Sequence, residues 1–253
     1  IEDDGAEKST AFNTVNRNKR DITLDLEHPE GRDLLLRLVA TANVVVENYS
    51  GSVLPKLNLG YEVFRSVNPG IILLSMPAFG STGPWASFRA YGSTVEQSSG
   101  LPHLNGTADD PPTMQHVALG DAIGGLTGAS ALLVALRHQA RTGEGQFVDL
   151  SQVEGLFPLA SHGILEYAAT GASPSRDGNR SARHLVHGAY PCSGEDRWIA
   201  IEIESPEQLA ALNDASGGAL GIDASESPAE IDAQIGAWTS DQDAEALARS
   251  LQS

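Results

Sequence analysis

Two short stretches, "NVVVENYS" at 43–50 and "NPGIILLSMPAFG" at 68–80, each hold a continuous apolar run, Val44–Val46 and Ile71–Leu74, instead of an alternation. A strand wet on one face alternates; a strand covered on both faces does not. Each run therefore predicts a buried parallel strand, the second entered through a Pro-Gly turn. Between them Val53 to Ser66 reads as a helix. Before them "HPEGRDLLLRLVATA" has Pro29 at a helix start and leucines at helical spacing. Ahead of that helix "DITLDL" alternates like a strand, and residues 1–20 read as irregular. Strand, helix, strand, helix, strand predicts an α/β fold on a parallel sheet. Ligands of such sheets sit at the carboxyl ends of the strands, here Glu47–Gly51 and Pro77–Pro84.

Further on, Tyr91 to Leu101 is helical in pattern, and "PHLNGTADDPPTM" is a loop by its Gly, Pro and Asp content. Asp121 to Arg141 predicts a long helix closed by "TGEGQ", followed by a short strand in "FVDLS" and a helix over Ser151–Thr170. "GASPSRDGNRSARH" is a linker by composition, and "HGAYPCSGEDRWIAIEI" opens a fresh β-like unit. The net charge of −17 argues against nucleic acid and against an anionic membrane surface, both of which need a basic face. No stretch approaches the roughly 18 consecutive apolar residues of a membrane span. A single cysteine, Cys192, excludes an intrachain disulfide framework and predicts a cytoplasmic protein. The acidic start "IEDDGAEKST" and the finish "ALARSLQS", in mid-helix by its pattern, predict an internal segment of something longer.

Chemistry narrows to one side chain. His184, His187 and Cys192 fit no standard zinc spacing, so no metal is predicted. No G-x-S-x-G elbow, P-loop or G-x-G-x-x-G occurs. Asp121 remains, at the head of a segment bearing Gly124, Gly125 and Gly128. Each glycine weakens a helix by roughly 1 kcal/mol relative to Ala, which is tolerated where a backbone or ligand must come close. Two readings stay open: Asp121 caps a packed helix, or it reacts. A helix start favours the ionised carboxylate. Attack on an acyl carbon then gives a mixed anhydride that retains the activation of a thioester.

The blocks "NRNKRDITLDLEHPEGRDLLLRLVATANVVVENYSGSVLPKLNLGYEVF", "NPGIILLSMPAFGSTGP", "GDAIGGLTGASALLVALRHQARTGEGQFVDLS" and "HGAYPCSGEDRWIAI" cover most of residues 12–203. In this order they resemble the class III coenzyme A transferases, a family that includes the α-methylacyl-CoA racemases. The resemblance implies a Rossmann-like large domain with helices on both faces of its sheet (1–172), a linker (173–187) and the start of a small α+β domain (188–253). It also implies an interlocked homodimer. The substrates implied are an acyl-CoA and a carboxylic acid, with no permanently bound cofactor.

By position, Asp121 matches the family's nucleophilic aspartate. Asn48 and Tyr49 match the segment lining the CoA groove, and Leu24, Asp25, Leu26 and Glu27 match backbone bordering the adenine. Lys56 and Arg89 fall where the family places bases near the CoA phosphates, with a solvated surface charge as the alternative for each. Tyr91 lines the acyl channel or is a packed aromatic. The chain departs from the racemases in having no histidine near Tyr91; His103 and His116 do not match. It departs from the formyl-CoA enzyme in Gly92, where that enzyme has glutamate, and in "GNRSARHLVHG", which replaces a glycine-rich flap. Glu96, one helical turn on, is left open as an assistant. The leading expectation is a CoA-transferase. The alternatives are a racemase or a non-catalytic domain that binds CoA or only dimerises.

Overall fold

The structure, a computed structural model, describes residues 9–114, 118–181 and 183–252. Its packing separates two compact units, residues 1–95 with 119–155 and residues 96–118 with 156–253.

In the first unit helix α1 (Thr10–Val15) occupies part of the stretch read as irregular. Helix α2 (Pro29–Val39) begins where Pro29 predicts, with the His28 ring accepting the Glu30 N–H at 3.3 Å. Strand β1 (Val44–Glu47) follows, then helices α3 (Val53–Lys56) and α4 (Tyr61–Val67), strand β2 (Ile72–Ser75) and helix α5 (Gly92–Ser98). Helix α6 (Leu119–Thr142) leads into strand β3 (Phe147–Asp149). The strands lie in the order β1-β2-β3 and are parallel throughout, with Val45 beside Leu73 and Leu74 beside Val148.

Alternation along β2 sends successive side chains to opposite faces. Leu73 joins Val39, Leu59, Phe64 and Ile71, with Leu35, Leu36 and Val45 packed around them. Leu74 points the other way, to α6 at Gly128. Helices thus cover both faces of a parallel sheet.

The glycines of α6 explain how close that contact is. A Cβ at Gly128 would lie 2.9 Å from the Met76 sulfur and 3.2 Å from Leu74 Cδ2, and one at Gly124 would lie 2.8 Å from Gln152 Oε1. Gly125 has nothing within 4 Å. The sequence left a closely approaching backbone or a ligand as the reason for this bareness; two of the three glycines let the helix settle on the sheet and on Gln152. By length and hydropathy α6 is long and apolar enough to cross a membrane, a property not legible as an unbroken apolar run.

Four expectations change. "DITLDL" forms no strand: Ile22 is exposed, and the Asp25 carboxylate accepts the N–H groups of Glu27 and His28, turning the chain into α2. The helix over 53–66 is broken at Asn58, whose φ of 52° ends α3, before Leu59 enters the core and α4 starts after Gly60. Strand β1 is only partly covered, with Val46 55% exposed. The helix over 151–170 shrinks to α7 (Ser161–Thr170), preceded by turns and a 3₁₀ segment at Glu154–Leu156.

In the second unit, strands β4 (Val186–Pro191) and β5 (Trp198–Ile203) form an antiparallel hairpin. Ile199, Ile201 and Ile203 face inward while Trp198, Ala200 and Glu202 face out. Helices α8 (Pro206–Ala215), α9 (Pro228–Thr239) and α10 (Ala244–Leu251) start on side-chain caps from Ser205, Ser227 and Asp243. They bury Leu209, Leu212, Ile231, Ile235 and Leu247 with the inner hairpin face, Tyr190 and Cys192. Burial pushes the Cys192 thiol above its ordinary range.

Two substitutions test the assignment of the α6 glycines. Gly128→Val is expected to lower stability by about 1–3 kcal/mol through overpacking against Leu74 and Met76. Gly125→Ala should raise it by up to about 1 kcal/mol. Urea unfolding of both variants is the measurement; equal effects of like sign would contradict the packing described.

Candidate active site

The carboxyl ends of β1 and β2 open onto a groove of about 530 Å³ within the first unit. Asn48, Tyr49 and Ser50 line it from the turn after β1, with Val53 from α3 and Ala78 from the loop after β2. Phe88, Arg89, Ala90, Tyr91 and Thr94 line it from the approach to α5 and its first turns. This is where a parallel sheet places its ligands.

Four of the residues singled out in the sequence, Asn48, Tyr49, Arg89 and Tyr91, meet here. Among the described residues Arg89 is the one cation lining the groove, and Tyr91 is 85% exposed, so it is not a packed aromatic. Lys56 is exposed at the end of α3 and does not line the groove, although Val53 on the same helix does. Leu24, Asp25, Leu26 and Glu27 do not line it either; Leu26 packs against the core under the sheet. Glu96 is fully buried and absent from the lining, His103 is also absent from it, and His116 lies outside the described residues.

Asp121 sits in the first turn of α6, two residues inside the helix start, so it is not the residue ahead of the helix that a cap would be. It is exposed, and among the described residues no hydrogen bond or ion pair holds its carboxylate. What seats it is backbone. A Cβ at Gly92 would fall 2.8 Å from Asp121 Oδ1 and closer still to Oδ2. One at Gly120 would fall 3.0 Å from Val95 Cβ and would run into the Gly92 carbonyl oxygen. Gly92 and Gly120 therefore let the starts of α5 and α6 touch, and the carboxylate rests on the bare backbone next to Tyr91.

Two other carboxylates, neither anticipated, tie down the loops. Glu47, at the end of β1, accepts the Tyr49 N–H at 2.8 Å and the Ser75 hydroxyl. Asp149, at the end of β3, accepts the Ser81 N–H at 3.1 Å and the Ser81 hydroxyl. Gln152 Nε2 donates to the Met76 carbonyl at 2.6 Å. Acids that end strands of a parallel sheet are a sequence signal that would have flagged Glu47 and Asp149. Gly92 and Gly120 carry no such signal, because their partner is each other's helix.

Known proteins give the comparison. The sequence pattern of CoA-transferase family III matches residues 2–253. A succinyl-CoA–D-citramalate CoA-transferase of Chloroflexus aurantiacus is 34% identical over 240 residues, covering 91% of this chain and 60% of that protein. A succinate–glutarate CoA-transferase of Agrobacterium fabrum is 39% identical over 222 residues, 87% of this chain and 55% of that protein. The crystal structure of a CAIB/BAIF family protein from Brucella suis superposes with a TM-score of 0.80 at 32% identity, over 94% of this chain and 65% of that one. The chain thus spans less than two thirds of each of these relatives.

Gly92→Ala is expected to swing the Asp121 carboxylate off its seat while leaving β1, β2 and the groove turn in place. A crystal structure of the variant checks this; an unmoved Asp121 would show that the seat does not depend on Gly92.

Proposed function

The chain belongs to CoA-transferase family III, and we propose that it carries the nucleophile and part of the CoA groove of an enzyme that moves coenzyme A from an acyl-CoA to a carboxylic acid. The observation that carries this reading is Asp121: an exposed carboxylate, uncommitted among the described residues, which does not itself line the groove but is held against Gly92, the residue after the groove's Tyr91.

The chemistry follows from what a carboxylate does to a thioester. An Asp121 oxygen attacks the acyl carbonyl, and the CoA thiolate leaves as an aspartyl–acyl anhydride forms. The thiolate attacks the aspartyl carbonyl, releases the donor as its free acid and leaves an aspartyl-CoA thioester. The acceptor carboxylate attacks that thioester and expels the thiolate again. The thiolate then takes the acceptor acyl group from the second anhydride and restores Asp121. Every intermediate keeps its acyl activation, which a serine ester would lose.

In this reading Asn48 and Tyr49 flank the CoA chain, Arg89 meets its phosphate charge, and Tyr91 stands between groove and nucleophile. Glu47 holds the turn that presents Asn48 and Tyr49. Lys56 and Leu24–Glu27 would contact CoA only beyond the groove described. Because the relatives are named for succinyl-CoA, succinate and other dicarboxylic acids, succinyl-CoA with a dicarboxylic acceptor is the first pair to assay. A homodimer is part of the same proposal. Among the described residues no histidine lines the groove, so the groove offers no second base that would favour racemisation.

Asp121→Ala is expected to lower transfer by at least ~10³-fold while CoA affinity stays within about threefold, because the carboxylate acts on the thioester and not on the nucleotide. Steady-state transfer assays and calorimetric titration with CoA measure the two. Unchanged turnover discards the nucleophile; CoA binding lost together with turnover points instead to a purely structural acid.

A further inference from the structure

We propose that His184, Glu202 and Glu204 form a binding site for one divalent transition-metal ion of the zinc type in the second unit, independent of the Asp121 chemistry. The hairpin builds it. Glu202 faces outward on β5, between the buried Ile201 and Ile203, and Glu204 follows two residues later, just past the end of the strand. In the antiparallel register Val186 lies beside Ile203, and the Leu185 N–H donates to the Ile203 carbonyl at 2.8 Å. His184 therefore arrives alongside both acids. Its Nε2 stands 2.8 Å from Glu202 Oε1 and 3.2 Å from Glu204 Oε1, and the three donor atoms lie within 4.8 Å of one another.

Bonds from zinc to nitrogen and oxygen are roughly 2.0–2.2 Å, so two donors sharing one ion sit about 3.0–3.5 Å apart. The spacing at His184 Nε2 already falls close to that range. The other ring nitrogen is also provided for: Nδ1 lies 2.8 Å from the Ser181 hydroxyl, the outer contact that sets the ring orientation of a ligating histidine. The 2.8 Å contact allows Nδ1 to donate to the Ser181 hydroxyl, the tautomer in which Nε2 can ligate an ion shared with the two carboxylates.

The His184 side chain is 14% exposed, whereas those of Glu202 and Glu204 are 58% and 66% exposed. The nitrogen is held in place while the acids reach it from solvent, so an ion has a way in. The His187 ring packs 5.1 Å from that of His184, and its Nδ1 bonds the Asn179 carbonyl. A carbonyl only accepts, so His187 Nδ1 carries the hydrogen of that bond and Nε2 is the ring nitrogen left toward the cluster. One imidazole with two carboxylates favours zinc, cobalt or nickel over magnesium or calcium, which prefer all-oxygen shells. Three protein ligands leave a position for water. Reading the sequence grouped His184 with Cys192, which is buried in the core; its partners are on the opposite strand.

The test uses the untagged chain. Calorimetric titration with Zn²⁺, and visible absorption with Co²⁺, should each show one saturable site. Glu202→Gln and Glu204→Gln are each expected to weaken it at least ~10-fold and His184→Ala to abolish it. Zn²⁺ should raise the melting temperature of the wild type and not that of the doubly substituted Glu202→Gln/Glu204→Gln chain. The two exposed acids carry the test if His184→Ala fails to fold. Absence of saturable binding up to about 1 mM Zn²⁺, or equal affinity in wild type and the double variant, would overturn the proposal and leave a proton as the cation shared by the three side chains.

Discussion

The starts of α5 and α6 touch through bare backbone, and the candidate site depends on that contact. Gly120 abuts the Gly92 carbonyl, and Asp121, the next residue, lays its carboxylate on Gly92. Any side chain at either glycine would pry the helices apart or evict the acid. A short polar residue at a helix start is usually absorbed by its own first turn. Here the first turn leaves it uncommitted among the described residues, and the neighbouring backbone, not a hydrogen bond, determines where it points.

The sheet supplies the rest of the geometry. Leu73 and Leu74 commit β2 to cover on both faces, one through Val39 and Phe64, the other through Gly128 of α6. With strands parallel, their carboxyl ends collect on one edge, and the loops leaving that edge carry Asn48, Tyr49 and Ala78 to the groove. Glu47 and Asp149 end their strands and immediately capture backbone from the following or neighbouring loop. The same carboxyl edge thus provides both the opening and the struts that define its rim. The second unit is organised separately, around a two-stranded hairpin and three capped helices.

Much of this was legible because it is local. Continuous apolar runs mark β1 and β2, Pro29 marks the head of α2, and the long small-residue segment marks α6. Asp121, Asn48, Tyr49, Arg89 and Tyr91 came from motif position, and the structure gathers the last four around one groove. What was not legible is pairwise. "DITLDL" alternates like a strand, yet the Asp25 carboxylate accepts two successive N–H groups and turns the chain into α2. Gly124 and Gly128 look like room for a ligand until Gln152 and Met76 are found against them. Gly92, noted in the sequence only as a missing glutamate, and Gly120 do make room, and each does so only through residues on the other helix. The carboxylates facing His184 were missed for the same reason, being one strand away.

The central claim is that an oxygen of Asp121 is passed to and from the acyl group. It is tested most directly with an acceptor acid labelled with ¹⁸O in its carboxylate, turned over by the full-length protein and followed by peptide mass spectrometry. Attack of that acid on the aspartyl thioester, then return of its acyl group to CoA, leaves one labelled oxygen behind. The peptide containing Asp121 should therefore gain ¹⁸O with turnover and in no other residue. Sustained transfer with no label at Asp121 would contradict the account.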